Sequence, residues 1–237
     1  MKKKQIIKYS FLIPIFFSQI CGETTIIDFE TDGSGYTVSG TEGSGFTDVF
    51  NRSNPNKGGN STYIWAVEDL LLSNPYITLN QIDISSASSF TFTIDMIAHH
   101  YNDWDSTDEL IITYSIDGAS YLNLLWVKNI GSTYNETAAL DTDFNGIGEC
   151  SYVLPALSTG TSGCTVSSSI FETFSSNSIS LSSNSTLDIK LQFNGLTSED
   201  EGIYLDNIKV SLVESLTISG NSGFRMMSSP VSGQIYS

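Results

Sequence analysis

The sequence predicts an all-β protein, a sandwich or barrel of short antiparallel strands. Apolar residues recur at every second position in several stretches, most clearly at Phe90, Phe92, Ile94 and Met96, which alternate with Thr91, Thr93 and Asp95. Helical spacing is missing throughout the chain beyond its first 22 residues. Between the alternating stretches lie runs of Gly, Ser, Thr and Asn, the turn chemistry that separates short strands.

Taken in order, residues 1–22 read as an export signal. Lys2, Lys3, Lys4 and Lys8 precede an apolar run from Phe11 to Phe17, and cleavage is expected near Gly22. The run is too short to span a bilayer. Cys21 keeps a second reading open, lipid attachment, although Ile20 fits poorly before it. A sandwich is expected over 23–214, with its first strand at 25–30 and a short one at Tyr36 to Val38. Further strands are expected at 46–50, 62–67, 76–84 and 89–98. Two more, 109–116 and 121–127, flank Asp117-Gly118, a dipeptide typical of a tight hairpin. Residues 131–169 form a long polar stretch read as loop. Leu187, Ile189, Leu191 and Phe193 alternate again, and a last strand covers 202–213. Residues 215–237 read as a linker, or as the start of a following module.

The formal charge is −16, and loss of the four signal lysines takes it to about −20. Nucleic acid and anionic membranes are therefore not expected partners, because both require clustered Lys and Arg. Strong acidity instead favours divalent cations. In an exported chain Cys150 and Cys164 are expected to pair, closing a loop around Pro155. Spacing alone leaves two unpaired core cysteines as the alternative.

Three acidic regions are candidate sites. In the last strand Asp206 falls in register with Tyr204, Ile208, Val210 and Leu212, so a carboxylate is aimed at the core and needs a partner, such as a cation near the chain's start. Second, Asp141, Asp143, Asn145 and Gly146 repeat the first half of a calcium loop, where alternate side chains turn inward and Gly makes the bend. The twelfth position of that loop is Tyr152 rather than Glu, which leaves Glu149 to complete a site; an Asx-rich turn explains the same residues. Third, His99, His100, Tyr101, Asp103, Trp104, Asp105, Asp108 and Glu109 crowd into eleven positions. Adjacent histidines on a strand point to opposite faces, which argues against a shared transition metal. Tyr101 and Trp104, with Asp105 and Asp108, are the candidate ligand contacts, whereas Trp65 and Trp126 sit in strand-like runs and are expected in the core. No catalytic set stands out.

Asp28-Phe-Glu30 together with Tyr204-Leu-Asp-Asn-Ile208 resembles the jelly-roll modules of secreted bacterial proteins, which include many carbohydrate-binding modules; MAM-like adhesion domains look similar. The block from Trp104 to Gly118 is similar to their acidic loop, strand and Asp-Gly turn. The resemblance implies an antiparallel jelly roll over about 25–213, with a structural calcium held by Glu30 and Asp206, and with Asp28 available. It also implies a non-catalytic extracellular module that binds a glycan or another surface ligand within a longer polypeptide. A secreted hydrolase using the loop 101–109, or a purely structural spacer, are the alternatives.

Overall fold

Alternation decides which side of each strand meets the core, and the strands pair accordingly into two antiparallel layers. The structure, a computed structural model, describes residues 21–43, 48–54, 62–99, 103–131, 133–134, 136–157, 164 and 169–214. The expected signal residues 1–20, the tail 215–237, His100 and Tyr101 lie outside the described residues. The strands are, in chain order, β1 (Cys21–Ile27), β2 (Tyr36–Val38), β3 (Val49–Ser53), β4 (Ile64–Glu68), β5 (Tyr76–Leu79), β6 (Ile82–Asp83), β7 (Ala87–His99), β8 (Glu109–Ile116), β9 (Leu122–Asn129), β10 (Ala138–Leu140), β11 (Glu172–Ser175), β12 (Ile179–Ser180), β13 (Thr186–Asn194) and β14 (Gly202–Glu214). One 3-10 turn, Cys150–Tyr152, supplies the helical content of the described residues. No helix among them is long and apolar enough to cross a membrane.

The first sheet has seven strands in the order β11-β7-β14-β4-β3, with β1 added to β14 and β12 to β7. The second, also seven-stranded, runs β10-β9-β8-β13-β5-β2, with β6 against β13. The fold is a jelly-roll sandwich. β7 and β13 show why it forms. Phe90, Phe92, Ile94 and Met96 from one sheet, and Leu187, Ile189, Leu191 and Phe193 from the other, are all fully buried between the layers. Tyr36, Phe50 and Phe29 pack against Trp65, with ring centroids 5.1–5.9 Å apart. Trp65 is thus in the core, as expected.

β1 lies antiparallel beside β14, with Ile27 opposite Ile208, so the first and last strands do adjoin. One expectation about β14 fails. A bulge between Asp206 and Lys209, with Asn207 at φ 46°, shifts the alternation by one residue. Ile203 and Leu205 face the core before the bulge, and Ile208, Val210 and Leu212 face it afterwards. Tyr204 belongs to a second buried cluster with Val49, Ile64, Ala66 and Ile97. Asp206, on Tyr204's side, therefore points away from the main core. The hairpin at Asp117-Gly118 forms as expected, with φ of 52° and 72°.

β10, β11 and β12 were not expected. β10 lies within the polar stretch read as loop and pairs with β9, while β11 and β12 edge β7. A disulfide joins Cys150 to Cys164.

Candidate ligand-binding face and acidic loop

The inward apolar residues of β13, β8, β9 and β5 leave their alternate positions on the outer side of the second sheet. On β13 these are Lys190, Gln192 and Asn194. Cross-strand register sets Gln192 between Tyr76 and Ile111, with Trp126 beyond Ile111, so one rung carries an aromatic ring at each end. Four strands at about 4.8 Å spacing separate those rings by roughly 14 Å.

A hydrogen-bonded chain runs between them. Lys190 Nζ donates to Gln192 Oε1 at 2.9 Å, Gln192 Nε2 to Asn194 Oδ1 at 3.1 Å, and Asn194 Nδ2 to Glu109 Oε1. From the other side Trp126 Nε1 donates to Glu109 Oε2 at 3.0 Å, and Lys128 Nζ lies 3.5 Å from the same oxygen. Lys190 Nζ also sits 4.4 Å from the centre of the Tyr76 ring. Each side chain in the chain has its rotamer fixed by the next, which lowers the entropy lost when a ligand's hydroxyls engage them. Trp126 corrects the sequence expectation: its outward position leaves it half-buried rather than in the core.

The acidic loop after β10 is the second arrangement. Ligand oxygens of Asp141, Asp143 and Glu149 all lie within 4.8 Å of one another. Asp141 is buried and accepts from the backbone N–H groups of Asn145 at 3.1 Å and Gly146 at 2.6 Å. Asn145 bridges to Asp143, and Glu149 accepts from Thr142 N at 2.6 Å. Gly146 takes φ 92°, the bend the motif requires. Burial pushes the Asp141 carboxyl above its usual range, despite the Gly146 and Asn145 N–H groups, and the charge of Glu149 adds to that rise. A cation would relieve that repulsion, and three carboxylates begin the oxygen set calcium takes.

The other expected site residues lie elsewhere. Glu30 is exposed and accepts from Tyr63 N at 2.9 Å, while Arg52 Nη2 donates to the Glu30 carbonyl at 2.7 Å. Asp28 accepts from Glu30 N at 3.1 Å within the same turn. Asp206 is buried, accepts from Asn207 N at 2.7 Å and pairs in register with Asp95. Among the described residues the three-carboxylate group at ligating distance is the Asp141 loop, and it includes none of Asp28, Glu30 or Asp206.

Trp104 fails the expectation of an exposed ring, being fully buried in the core. Asp108 is buried too. Its carboxylate accepts from Asp105 N at 2.6 Å and Leu196 N at 2.9 Å, fastening the loop before β8 to the one after β13. Glu201, also buried, accepts from Thr197 N and Ser198 N in that second loop. Burial pushes Asp108 up to about 6; burial and the neighbouring Asp108 charge push Glu201 up to about 7. His99 Nδ1 lies 3.1 Å from the buried Glu68, which also accepts the Tyr204 hydroxyl.

No known protein family matches the sequence, and no curated protein does. Solved structures share its layout. The CBM22-1 xylan-binding domain of Paenibacillus barcinonensis Xyn10C is 10% identical over 83% of this chain and 98% of its own, with a TM-score of 0.43. The K1 cleaved adhesin domain of Lys-gingipain from Porphyromonas gingivalis is 13% identical, covering 80% and 98%, at 0.42. CBM27-1 of Caldicellulosiruptor saccharolyticus, solved with mannohexaose, is 13% identical, covering 79% and 96%, at 0.40. Likeness at this level assigns no ligand to this chain.

Proposed function

We propose that this protein is a non-catalytic, exported module that binds glycan on the outer face of its second sheet, as one part of a longer polypeptide. The observation that supports it is the polar chain from Lys190 to Glu109 lying between the Tyr76 and Trp126 rings. Sugar rings present apolar C–H faces to aromatic side chains and pairs of hydroxyls to amides and carboxylates, and this face offers both. The test is retention of the chain on a panel of insoluble polysaccharides. Retention that Tyr76→Ala or Trp126→Ala abolishes, with thermal unfolding unchanged, supports the proposal. Equal retention of all variants, or none on any polysaccharide, counts against it, and release of reducing ends would replace binding with hydrolysis.

A structural calcium belongs to the same proposal, and the Asp141 loop is where the geometry favours it. Asp141, Asp143 and Glu149 would hold the ion, which would tie the loop to β10 and do no chemistry. Glu30 with Asp206 is the competing position. Asp141→Ala and Asp206→Ala, compared in calcium and in chelator, separate the two.

A further inference from the structure

β10 is the last strand of the second sheet and β11 of the first, and residues near both line one opening on that side of the sandwich. It is a cleft of about 270 Å³, just below the range of small-molecule sites, which begins at about 300 Å³. Its floor is Leu124, Leu125 and Leu140. Its walls are the Phe144 and Tyr152 rings, 40% and 50% exposed, so neither has gone into the core although each is largely apolar. At the rim stand Thr142, Ser175 and Asn177, all exposed.

The walls are held in place. Phe144 keeps a left-handed backbone, φ 58°, which a non-glycine residue holds only where its surroundings impose it. Glu149 N donates to Leu140 O at 2.8 Å and Tyr152 N to Glu149 O at 2.8 Å, and the Cys150–Cys164 disulfide adjoins Tyr152. Gly148 packs so closely that an added Cβ would lie 2.8 Å from the Lys128 carbonyl oxygen.

We propose that this cleft is a second binding site, for a single neutral sugar ring such as the end of a glycan chain. Two aromatic walls and a leucine floor suit the C–H faces of a pyranose, and the rim supplies hydroxyl and amide partners for its hydroxyls. Size excludes a longer run, and the Asp141 carboxylate, which lines the cleft, disfavours an anionic ring unless a bound cation offsets its charge. The site lies on a sheet edge rather than a sheet face, and it stands or falls separately from binding at Tyr76 and Trp126.

The experiment is NMR titration of the full chain with neutral methyl glycosides of glucose, galactose, mannose and xylose at millimolar concentrations. Shifts at Thr142, Phe144, Tyr152 and Asn177 are expected for at least one glycoside, retained in a Tyr76→Ala/Trp126→Ala double variant. Tyr152→Ala, checked for unchanged unfolding, should weaken binding about tenfold, and the exposed Asn177→Ala should weaken it without altering the fold. No shifts with any glycoside, shifts confined to the sheet face, or undiminished affinity in both single variants would overturn the proposal. Cleft shifts in an unaltered chain that no polysaccharide retains would mark failure of the sheet-face proposal alone.

Discussion

Trp126 and Gly195 define what single residues do here. The apolar sequence neighbours of Trp126 predict a core position, yet alternation puts it outward while Leu125 and Val127 go in. Its indole N–H is committed to Glu109. Trp126→Phe, which keeps a ring and removes that donor, should weaken polysaccharide binding less than Trp126→Ala, measured by affinity electrophoresis. Gly195 stands at φ 64°, and an added Cβ would meet Asp108 Oδ1 at 2.2 Å and the Thr107 carbonyl at 2.7 Å. Gly195→Ala should cost about 2 kcal/mol or more by denaturant unfolding. A loss under half a kcal/mol would show that the loop yields instead.

At the scale of elements, the sequence announces strands with a buried and a wet side, and β8 forms over the residues expected from its pattern. On β13 the alternation is plain, and Lys190 and Gln192 take its wet positions like any polar residues, so the pattern alone does not single them out. What the sequence could not convey is that Tyr76 and Trp126 flank them, because strand order in a sheet is a long-range property. The bulge at Asn207 was hidden for another reason. One inserted residue leaves Asp206 and Ile208 two apart, so the period looks unbroken while the face reverses. β10 to β12 are illegible in the sequence because two to four residues are too few to show a period. Of the acidic motifs, the Asp141 loop is local in sequence, and its geometry came through; the pairing of Glu30 with Asp206 depended on the face that the bulge reversed. The loop between Cys150 and Cys164 tests the edge elements. Removing both thiols as Cys150→Ser/Cys164→Ser should lower stability by about 3 kcal/mol, for a closed loop of roughly 15 residues.

For the whole molecule, two buried carboxylates make stability depend on pH in an unusual sense. Asp108 and Glu201 have folded values of about 6 and about 7, above the ordinary carboxylate range they regain on unfolding. Between roughly pH 4 and 7 the folded state therefore binds more protons than the unfolded one, and stability falls as pH rises through that window. The midpoint of thermal unfolding should be higher at pH 5 than at pH 8, and Glu201→Gln should flatten the difference. A midpoint that climbs between those pH values would contradict the assignment. The calcium proposed for the Asp141 loop would act on the same scale: at a hundredfold excess over its dissociation constant it should add about 2.7 kcal/mol, lost in Asp141→Ala.

The pairing of β1 with β14 places Cys21 opposite Val213, so the polypeptide enters and leaves the sandwich at the same corner. Tension applied to those two points pulls across the strands rather than along them. Their ladder then opens one rung after another instead of resisting all together, as in a zip. Loaded at those two points, the sandwich should let go at low force. Single-molecule pulling through residues 21 and 214 would measure how readily.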